Sequence, residues 1–295
     1  MLTPKNPAAH IVNQTGKKRP PDFYGVGAEK CGTTWLWEMF HDHPEIGVPL
    51  PKELRYFARI YLATGLNNFN AVRRLMRNHR KVPQTPEFLE RLATEIRILY
   101  GRDPAYLRVF GAMDQASVGD ISPQYCMLPS EGIAHMHRLA PNAKIIFMLR
   151  DPVDRAISAA KMKAGEEMEN LTQNAVREKA FHPFQIAMSR YSGLLDNYQE
   201  VFGEKNIFVG FMEDVISRPL GLLEEICDFL GVGYDAAHFT RLNFIANEGL
   251  KFAVEPQIYK DLFNELRDEY DLLETRFPER VAGWREKHQT KYGAR

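Results

Sequence analysis

Residues 24–36 of this 295-residue sequence read YGVGAEKCGTTWL, and this stretch decides the fold. An apolar strand-like start runs into a turn that carries glycines, and the turn runs into a helix. Gly27 and Gly32 let the backbone turn tightly, and the free N–H groups at the start of the next helix point toward any ligand there. Lys30 adds a positive charge, and two threonines add hydroxyl donors. The stretch therefore predicts an anion-binding loop between a strand and a helix.

The loop differs from the usual loop that binds nucleoside triphosphates. That loop ends in Gly-Lys-Ser/Thr, where the hydroxyl holds magnesium. Here the lysine precedes the glycine by two positions, in the order Lys-x-Gly-Thr-Thr-x-Leu. Taken alone, the same residues also fit an ordinary helix cap in an unrelated α/β protein.

Composition is that of a soluble globular protein. Hydrophobic residues make up 44% of the chain and charged residues 26%, and the formal net charge is zero. A neutral chain has no overall field that would attract nucleic acid or an anionic membrane, so neither is expected as a partner. Zero charge also argues mildly against a highly sulfated polymer as the main substrate. The oligomeric state is left open.

The compartment is indicated by the cysteines and by the lack of apolar segments. Cys31, Cys126 and Cys227 are few, odd in number and widely spaced, so they predict neither a disulfide framework nor a metal site. No apolar run approaches the length of a membrane span, and the N-terminus has no apolar core of a signal peptide. A cytoplasmic protein is expected.

The rest of the chain predicts one folded domain behind a short arm. Residues 1–21 are polar and include the cluster Lys17-Lys18-Arg19, which predicts a flexible, solvated N-terminal arm. Residues 22–295 show no repeat and no linker, so they are expected to form a single domain. Strand-like runs alternate there with helical periodicity, which predicts an α/β fold with a mostly parallel sheet. The predicted strands are 23–26, 46–48, 144–149 and 206–211. The predicted helices are 34–41, 86–100, 152–163, 183–202, 219–230 and 257–276.

An irregular segment, 58–85, interrupts this alternation. It carries several basic residues between positions 73 and 81. A solvated helix face and a lid over a substrate both fit this composition.

A second motif, KIIFMLRDPVDRAIS, occupies residues 144–158. A buried strand ends at Arg150, a proline starts the next helix, and Ser158 lies about two turns further on. Ligands of open α/β sheets bind at the carboxyl ends of strands, and a guanidinium suits a terminal phosphate. The alternative is that Arg150 and its charged neighbours only pair with one another. For Arg155, an ion pair at the helix start is expected.

Three further segments carry candidate polar groups. Residues 51–57 read PKELRYF, in which Lys52 and Glu53 alone would fit exposed loop charges. Residues 119–125 read GDISPQY, in which Asp120 either orients a ligand or caps a turn. Lys251 precedes a predicted helix near the C-terminus. Trp35 and Tyr191 could stack on a purine or pack in the core.

The two main motifs, in this order, resemble those of the sulfotransferases that use 3′-phosphoadenosine 5′-phosphosulfate (PAPS). The first resembles their 5′-phosphosulfate loop. The second resembles their 3′-phosphate site, Leu-Arg-x-Pro-x-x-Arg-x-x-Ser. Residues 52–57 are similar to a Lys-Glu-x-x-Phe/Tyr-Phe element of the glycosaminoglycan-type members. The sequence departs from that type at Ile121, where many members carry a lysine, and around Lys251, where the closing loop is poorly matched.

The resemblance implies a P-loop-like three-layer α/β fold with a central parallel sheet flanked by helices. It implies Glu53 as the general base. The cytosolic small-molecule members use a histidine instead, and no histidine here stands in an equivalent motif; His41 and His43, expected at a helix end and turn near the loop, are the backup bases. PAPS would be the co-substrate and 3′-phosphoadenosine 5′-phosphate (PAP) the product, without a metal. The cofactor-binding residues that follow from the resemblance are Lys30, Cys31, Gly32, Thr33, Thr34, Arg150 and Ser158. To these we add the two possible stacking residues, Trp35 and Tyr191, and Lys251.

The expected reaction moves a sulfuryl group to a hydroxyl or amine of an acceptor, either a carbohydrate or a small molecule. Two other functions remain open. A P-loop nucleotide kinase or hydrolase would need magnesium and ATP. A non-catalytic protein that binds PAPS or a sulfated ligand would bind without transfer.

Overall fold

The computed structural model describes residues 16–50, 52–62, 102–165, 171–242 and 251–293. Within these residues one five-stranded sheet is present, and its strands are β1 (Phe23–Gly27), β2 (Ile46–Gly47), β3 (Ser117–Ile121), β4 (Lys144–Leu149) and β5 (Ile207–Phe211). The four predicted strands are confirmed. The predicted helix 86–100 and the basic residues 73–81 lie outside the described residues.

The sheet is parallel throughout, with the strand order β2-β3-β1-β4-β5. The central strand β1 pairs on both sides, since Phe23 lies opposite Gly119 on β3 and opposite Lys144 on β4. On the far side, Ile145 pairs with Ile207 of β5. A parallel order brings the carboxyl ends of β1, β3 and β4 to one edge of the sheet. The loops that follow these strands therefore meet there.

Helices flank the sheet and connect its strands. They are α1 (Thr33–Asp42), α2 (Tyr56–Tyr61), α3 (residues 102–111), α4 (Ser130–Leu139), α5 (Pro152–Gly165), α6 (Gln173–Ala180), α7 (Pro183–Ser189), α8 (Tyr191–Phe202), α9 (Met212–Ser217), α10 (Pro219–Leu230), α11 (Pro256–Glu265), α12 (Arg267–Glu274) and α13 (Pro278–Tyr292). Short 3₁₀ turns occupy Pro123–Met127, Glu204–Asn206 and Ala236–His238. This architecture is the α/β fold with a central parallel sheet that the sequence predicts.

Two predicted helices are each divided in two. The segment 183–202 breaks at Arg190, and the segment 257–276 breaks at Leu266. At Arg190 the backbone leaves the helical region (φ −92°, ψ 72°), and its guanidinium contacts Asp268 and the Glu265 carbonyl. The apolar periodicity continues across each break because both pieces face the same core. Periodicity therefore predicted the buried face but missed the bends.

Strand β3 is the element that the sequence did not predict as a strand. Ser117, Gly119 and Asp120 make it look like a loop, yet all five of its residues are buried. Gly119 is required because a Cβ there would lie 2.5 Å from the Phe23 ring and carbonyl oxygen. Tyrosine and serine hydroxyls, described below, satisfy the buried carboxylate of Asp120.

The predicted N-terminal arm packs onto the domain at its end. The Arg19 guanidinium donates to the carbonyls of Gln115 (2.8 Å) and Ala116 (2.9 Å), and the Arg19 N–H donates to the Leu107 carbonyl (3.2 Å). Arg19 is therefore not a solvated charge, and the packed domain includes it rather than beginning at residue 22. Residues 1–15 lie outside the described residues.

Among the residues described, none of the helices has the length and apolar character that crossing a bilayer requires.

Candidate active site

The loop after β1 has the geometry of an anion-binding helix start. Gly32 adopts a left-handed conformation (φ 86°) as the N-cap of α1, and Lys30 also has a positive φ of 72°. The first intrahelical bond runs from the Leu36 N–H to the Gly32 carbonyl (3.0 Å). The N–H groups that precede it, on Gly32, Thr33, Thr34 and Trp35, are the ones that a helix leaves to a ligand.

Lys30 is partly buried beside a second cation. Burial lowers the pKa of its ammonium, and the nearby charge of Arg150 lowers it further. Its Nζ lies 3.5 Å from the Met162 Sδ. Two cations held close together in partly buried positions favour binding of an anion between them.

Arg150 and the Lys30 loop are in direct contact. Arg150 follows the last residue of β4, and its Nη1 donates to the Lys30 carbonyl over 3.4 Å. Its Nη2 lies 3.9 Å from Asp154 Oδ2, and 28% of its side chain remains exposed. The structure therefore brings the two sequence motifs to one place, although 120 residues separate them.

Ser158 lies on the helix face that covers this loop. Asp154, Ser158 and Met162 are spaced four residues apart on α5, so they share one face. Asp154 contacts Arg150 at one end of this face, and Met162 contacts Lys30 at the other. Ser158, which is half-buried, therefore lies between the two contacts.

The expected ion pair of Arg155 is wrong. Its side chain is fully buried and donates to Ser189 Oγ (2.7 Å), Gln185 Oε1 (3.0 Å) and the Gln185 carbonyl (2.6 Å). These partners lie 30 and 34 residues further along the chain. Arg155 thus anchors α5 to α7.

Glu53 lies in a second loop and is held between two cations. Lys52 Nζ lies 2.8 Å from Oε1, Arg55 Nε donates to Oε2 (3.0 Å), and a second Arg55 nitrogen contacts the same oxygen. Burial acts to raise the pKa of Glu53, but the charges of Lys52 and Arg55 outweigh it and lower the pKa. The charge of Lys52 also helps to lower the pKa of Lys30, and the Ser122 N–H at the end of β3 donates to the Gly25 carbonyl of β1 (3.0 Å), so this loop lies near the anion-binding loop.

A relay of hydrogen bonds fixes the Glu53 loop to the end of β3. The Arg55 N–H donates to Ser122 Oγ (3.0 Å), and Ser122 Oγ donates to Asp120 (2.8 Å). Asp120 is fully buried and also accepts from the hydroxyls of Tyr106 and Tyr125. Burial raises the pKa of Asp120 despite these hydrogen bonds. Asp120 is therefore an internal anchor of the loop, and neither the turn cap nor the ligand contact considered from sequence describes it.

The predicted aromatic stackers are buried, and this corrects their assignment. Tyr191 is fully buried with its hydroxyl 3.7 Å from Cys31 Sγ, and Trp35 is 4% exposed with Nε1 donating to the Leu242 carbonyl (3.1 Å). The rings of Tyr191 and Trp35 pack in the core. The Cys31 thiol is fully buried too, its pKa is raised to about 11 by burial, and its N–H donates to the Ala28 carbonyl.

The remaining sequence candidates are one lysine and two histidines. Lys251 is exposed, and residues 243–250 before it lie outside the described residues, so its role stays a prediction. His41 and His43 lie at the far end of α1, about 13 Å along the helix from Gly32. His41 stacks on Trp37, while His43 is buried against the Gly233 carbonyl. Neither histidine is placed to act at the loop.

Four residues that sequence reasoning did not assign belong to the site. Lys52 and Arg55 pair with Glu53, Met162 contacts Lys30, and Ser122 fixes the Glu53 loop. The spacing of four between Ser158 and Met162 was a readable signal, because it places both on one helix face. Arg55 adjoins Glu53 in sequence, but its left-handed backbone (φ 54°) could not be read from the residue type.

A cavity of about 390 Å³ opens beside Arg150. It lies between the start of α5, helix α9 and the C-terminal helix α13. Its lining includes Arg150, Asp154, Met212, Trp284 and Lys287.

Comparison with known proteins identifies a family and several similar proteins. The profile of the Sulfotransferase family matches residues 21–236. The chain is 24% identical over 237 residues to heparan sulfate glucosamine 3-O-sulfotransferase 6 of Mus musculus, with 77% of this chain and 56% of that protein covered. It is 23% identical over 270 residues to carbohydrate sulfotransferase 15 of Homo sapiens, with 76% and 46% covered. The chain thus spans about half the length of these curated relatives.

A crystal structure of a sulfotransferase from Alicyclobacillus acidocaldarius has a similar fold. The two superpose with a TM-score of 0.61 at 23% identity, and the match covers 90% of this chain and 98% of that one. This likeness shows the P-loop-like arrangement of a central parallel sheet flanked by helices. The profile match covers well over half of the chain, including the loop after β1, the Glu53 segment and the Arg150 motif. This chain belongs to the sulfotransferase family.

Proposed function

We propose that this protein transfers the sulfuryl group of PAPS to a hydroxyl, or an amine, of an acceptor. The observation that carries the proposal is the contact between Arg150 Nη1 and the Lys30 carbonyl, 3.4 Å apart. It joins an anion-binding helix start to a partly exposed guanidinium at the carboxyl edge of a parallel sheet. A nucleotide with phosphates at two positions needs two such anion sites side by side.

The two anion sites divide the nucleotide between them. In this proposal the N–H groups of residues 32–35 and the Lys30 ammonium bind the 5′-phosphosulfate. Arg150 and Ser158 bind the 3′-phosphate, because Arg150 precedes α5 and Ser158 lies one turn after Asp154, the residue that contacts Arg150. The buried rings of Trp35 and Tyr191 are left out of this assignment.

Glu53 is the proposed general base. It accepts the proton of the acceptor hydroxyl as the acceptor oxygen attacks sulfur and the bond from sulfur to the bridging phosphate oxygen breaks, so that PAP leaves. Lys30 stabilises the negative charge that develops on the departing oxygen, as preorganised cations do in related group transfers. The proximity of the Lys52–Glu53 pair to Lys30 supports this pairing of roles.

The resting pairing of Glu53 bears on catalysis. Lys52 and Arg55 keep its carboxylate ionised, so it is ready to accept a proton at neutral pH. The same cations lower its pKa and so make it a weaker base. This is a disadvantage for catalysis, because a general base works best with a pKa near the working pH. Release of Arg55, 47% of whose side chain is exposed, would make Glu53 a stronger base when the acceptor binds.

A carbohydrate or a small molecule is the proposed acceptor. The curated relatives above are named for heparan sulfate and for carbohydrate, which supports a sugar hydroxyl. The neutral net charge and Ile121 support an acceptor less anionic than heparan sulfate. Catalysis without metal and a cytosolic location both remain predictions; three buried free thiols suit a reducing compartment.

The test is a transfer assay with PAPS that carries a radiolabelled sulfuryl group. Purified full-length protein is offered sugars, lipids and small phenols or alcohols, with and without a chelator, beside the Glu53→Gln variant. Label that appears in an acceptor with equal release of PAP, and that falls at least about a hundredfold in the variant, supports the proposal. Binding of PAPS without transfer to any class would indicate a binding protein. Magnesium-dependent turnover of ATP would indicate a kinase or hydrolase.

A further inference from the structure

The C-terminal helix α13 reaches the Arg150 site, although it lies beyond the segment that matches the family profile. Lys287 on this helix donates to Asp154 Oδ2 over 3.0 Å and also contacts the carboxylate of Asp151. Next to it, His288 Nε2 lies 2.8 Å from Asp151 Oδ2. Lys287 also lines the cavity beside Arg150.

Two carboxylates lie next to Arg150, whose guanidinium the proposed function assigns to the 3′-phosphate. Asp151 directly follows Arg150, and Asp154 Oδ2 lies 3.9 Å from Arg150 Nη2. Both carboxylates would repel a phosphate bound there, and Asp154, which is within ion-pair distance of Arg150, also competes with the phosphate for the guanidinium. An arginine between two unpaired carboxylates would make a weak phosphate site.

Lys287 removes this conflict. Its Nζ is closer to Asp154 Oδ2 than Arg150 is, 3.0 Å against 3.9 Å, so the carboxylate is already engaged. Asp151 is fully buried and is satisfied by Lys287, by the Tyr270 hydroxyl (2.8 Å) and by the N–H groups at the start of α5. Burial opposes the charge of Lys287, but the two carboxylates outweigh it and raise its pKa. The lysine is therefore held as a cation.

We infer that Lys287 is a positioning residue for recognition of the 3′-phosphate: it neutralises Asp151 and Asp154 and so leaves Arg150 to bind the phosphate. The inference rests on the proposed function. It makes α13 a determinant of nucleotide specificity in this chain, because a nucleotide without the 3′-phosphate gains nothing from a free Arg150.

The experiment compares PAP with 5′-AMP, which lacks the 3′-phosphate, by calorimetric titration of the full-length protein. Lys287→Met is expected to weaken PAP binding about tenfold and to leave 5′-AMP binding unchanged, a loss of about 1.4 kcal/mol that is specific to the 3′-phosphate. Lys287→Arg is expected to restore PAP binding. The matched control is Lys291→Met, which removes the same charge from an exposed position of α13.

A double variant separates charge compensation from a merely structural role. If Lys287 acts by neutralising Asp154, then Asp154→Asn added to Lys287→Met should recover most of the lost PAP affinity. Equal losses for PAP and 5′-AMP, or no recovery in the double variant, would overturn the inference. Wild-type protein that binds PAP no better than 5′-AMP would overturn the proposed function together with the inference. A wild-type preference for PAP over 5′-AMP that is undiminished in Lys287→Met would overturn the inference alone.

Discussion

The loop after β1 and the loop that carries Glu53 lie near each other, but they hold their functional groups in different ways. The first is fixed by backbone, since it lies between a buried central strand and a ten-residue helix. The second is fixed by side chains, through the pairs of Glu53 with Lys52 and Arg55 and through the hydrogen bond from Arg55 to Ser122. The half of the site that we propose to bind the nucleotide is thus preorganised, whereas the charge around Glu53 in the proposed acceptor half depends on its ion-pair partners.

Loss of Lys30 is expected to have the largest effect on the rate, because its charge is proposed to stabilise the departing oxygen directly. Lys30→Met should lower kcat for sulfuryl transfer about a hundredfold or more, as removal of one preorganised charge does elsewhere. Initial rates at saturating PAPS measure this. Lys205→Met, at an exposed lysine, is the control. Wild-type kcat in Lys30→Met would contradict the assigned role.

Glu53→Gln is expected to separate the two halves. It removes the base but keeps the size of the side chain, so kcat should fall about a hundredfold. PAP affinity should stay within about twofold, because the nucleotide half is held by backbone. Rates and calorimetry on the same preparation check both values. A parallel loss of PAP affinity would show that the halves are not independent.

Arg55→Ala tests whether the ion pairs tune the base. As the proposed general base, Glu53 would act when deprotonated, so activity is expected above its pKa and should be lost as the pH falls through that pKa. The charge of Arg55 helps to hold that pKa below its ordinary value, and its removal should raise the pKa. The acidic limb of the kcat/KM profile should therefore move to higher pH. An unmoved limb would mean that Arg55 does not act on the catalytic group.

Ser122→Ala is expected to loosen the Glu53 loop without removing a group that takes part in the reaction. The serine accepts from the Arg55 N–H and donates to Asp120, and loss of one such hydrogen bond costs about 1 kcal/mol. A fall in kcat of about fivefold with unchanged PAP affinity is the expected result. Steady-state kinetics beside Ser217→Ala, an exposed serine, measure it. A loss confined to PAP affinity would place Ser122 in the other half.

Tyr191→Phe should have the smallest effect. The hydroxyl is buried 3.7 Å from Cys31 Sγ and faces no solvent, so PAP affinity should not change. The free energy of unfolding should fall by less than about 1 kcal/mol, since the contact to sulfur is weak. Calorimetry and urea unfolding check these values. A loss of PAP affinity would return Tyr191 to the binding site.

The structure of the first loop and of the Arg150 motif could be predicted from sequence because its signals are local. The strand 144–149, the glycines of the first loop and the proline that starts α5 act on their own neighbours in the chain. Parallel pairing then brings Arg150 to Lys30 without further information. The order of motifs along the chain was therefore sufficient for this part of the structure.

Strand β3 and the roles of Arg155, Trp35 and Tyr191 could not be predicted, because they depend on contacts between residues that are distant in the sequence. β3 carries polar residues, and the hydroxyls of Tyr106, Tyr125 and Ser122 make burial of the Asp120 carboxylate possible. Arg155 is charged, yet its partners lie on α7, far along the sequence. An aromatic residue beside a binding loop fits stacking and core packing equally well in sequence. In the structure the side chains of Trp35 and Tyr191 are buried, so their rings pack in the core.

The most direct test of the account is calorimetric titration of PAP into wild-type protein and into Arg150→Ala, beside ADP with magnesium. The account predicts PAP binding that does not need metal, that is lost in Arg150→Ala, and that exceeds the binding of ADP. PAP binding that survives Arg150→Ala would contradict the joined site at the carboxyl edge of the sheet. A preference for ADP with magnesium would contradict sulfuryl transfer itself.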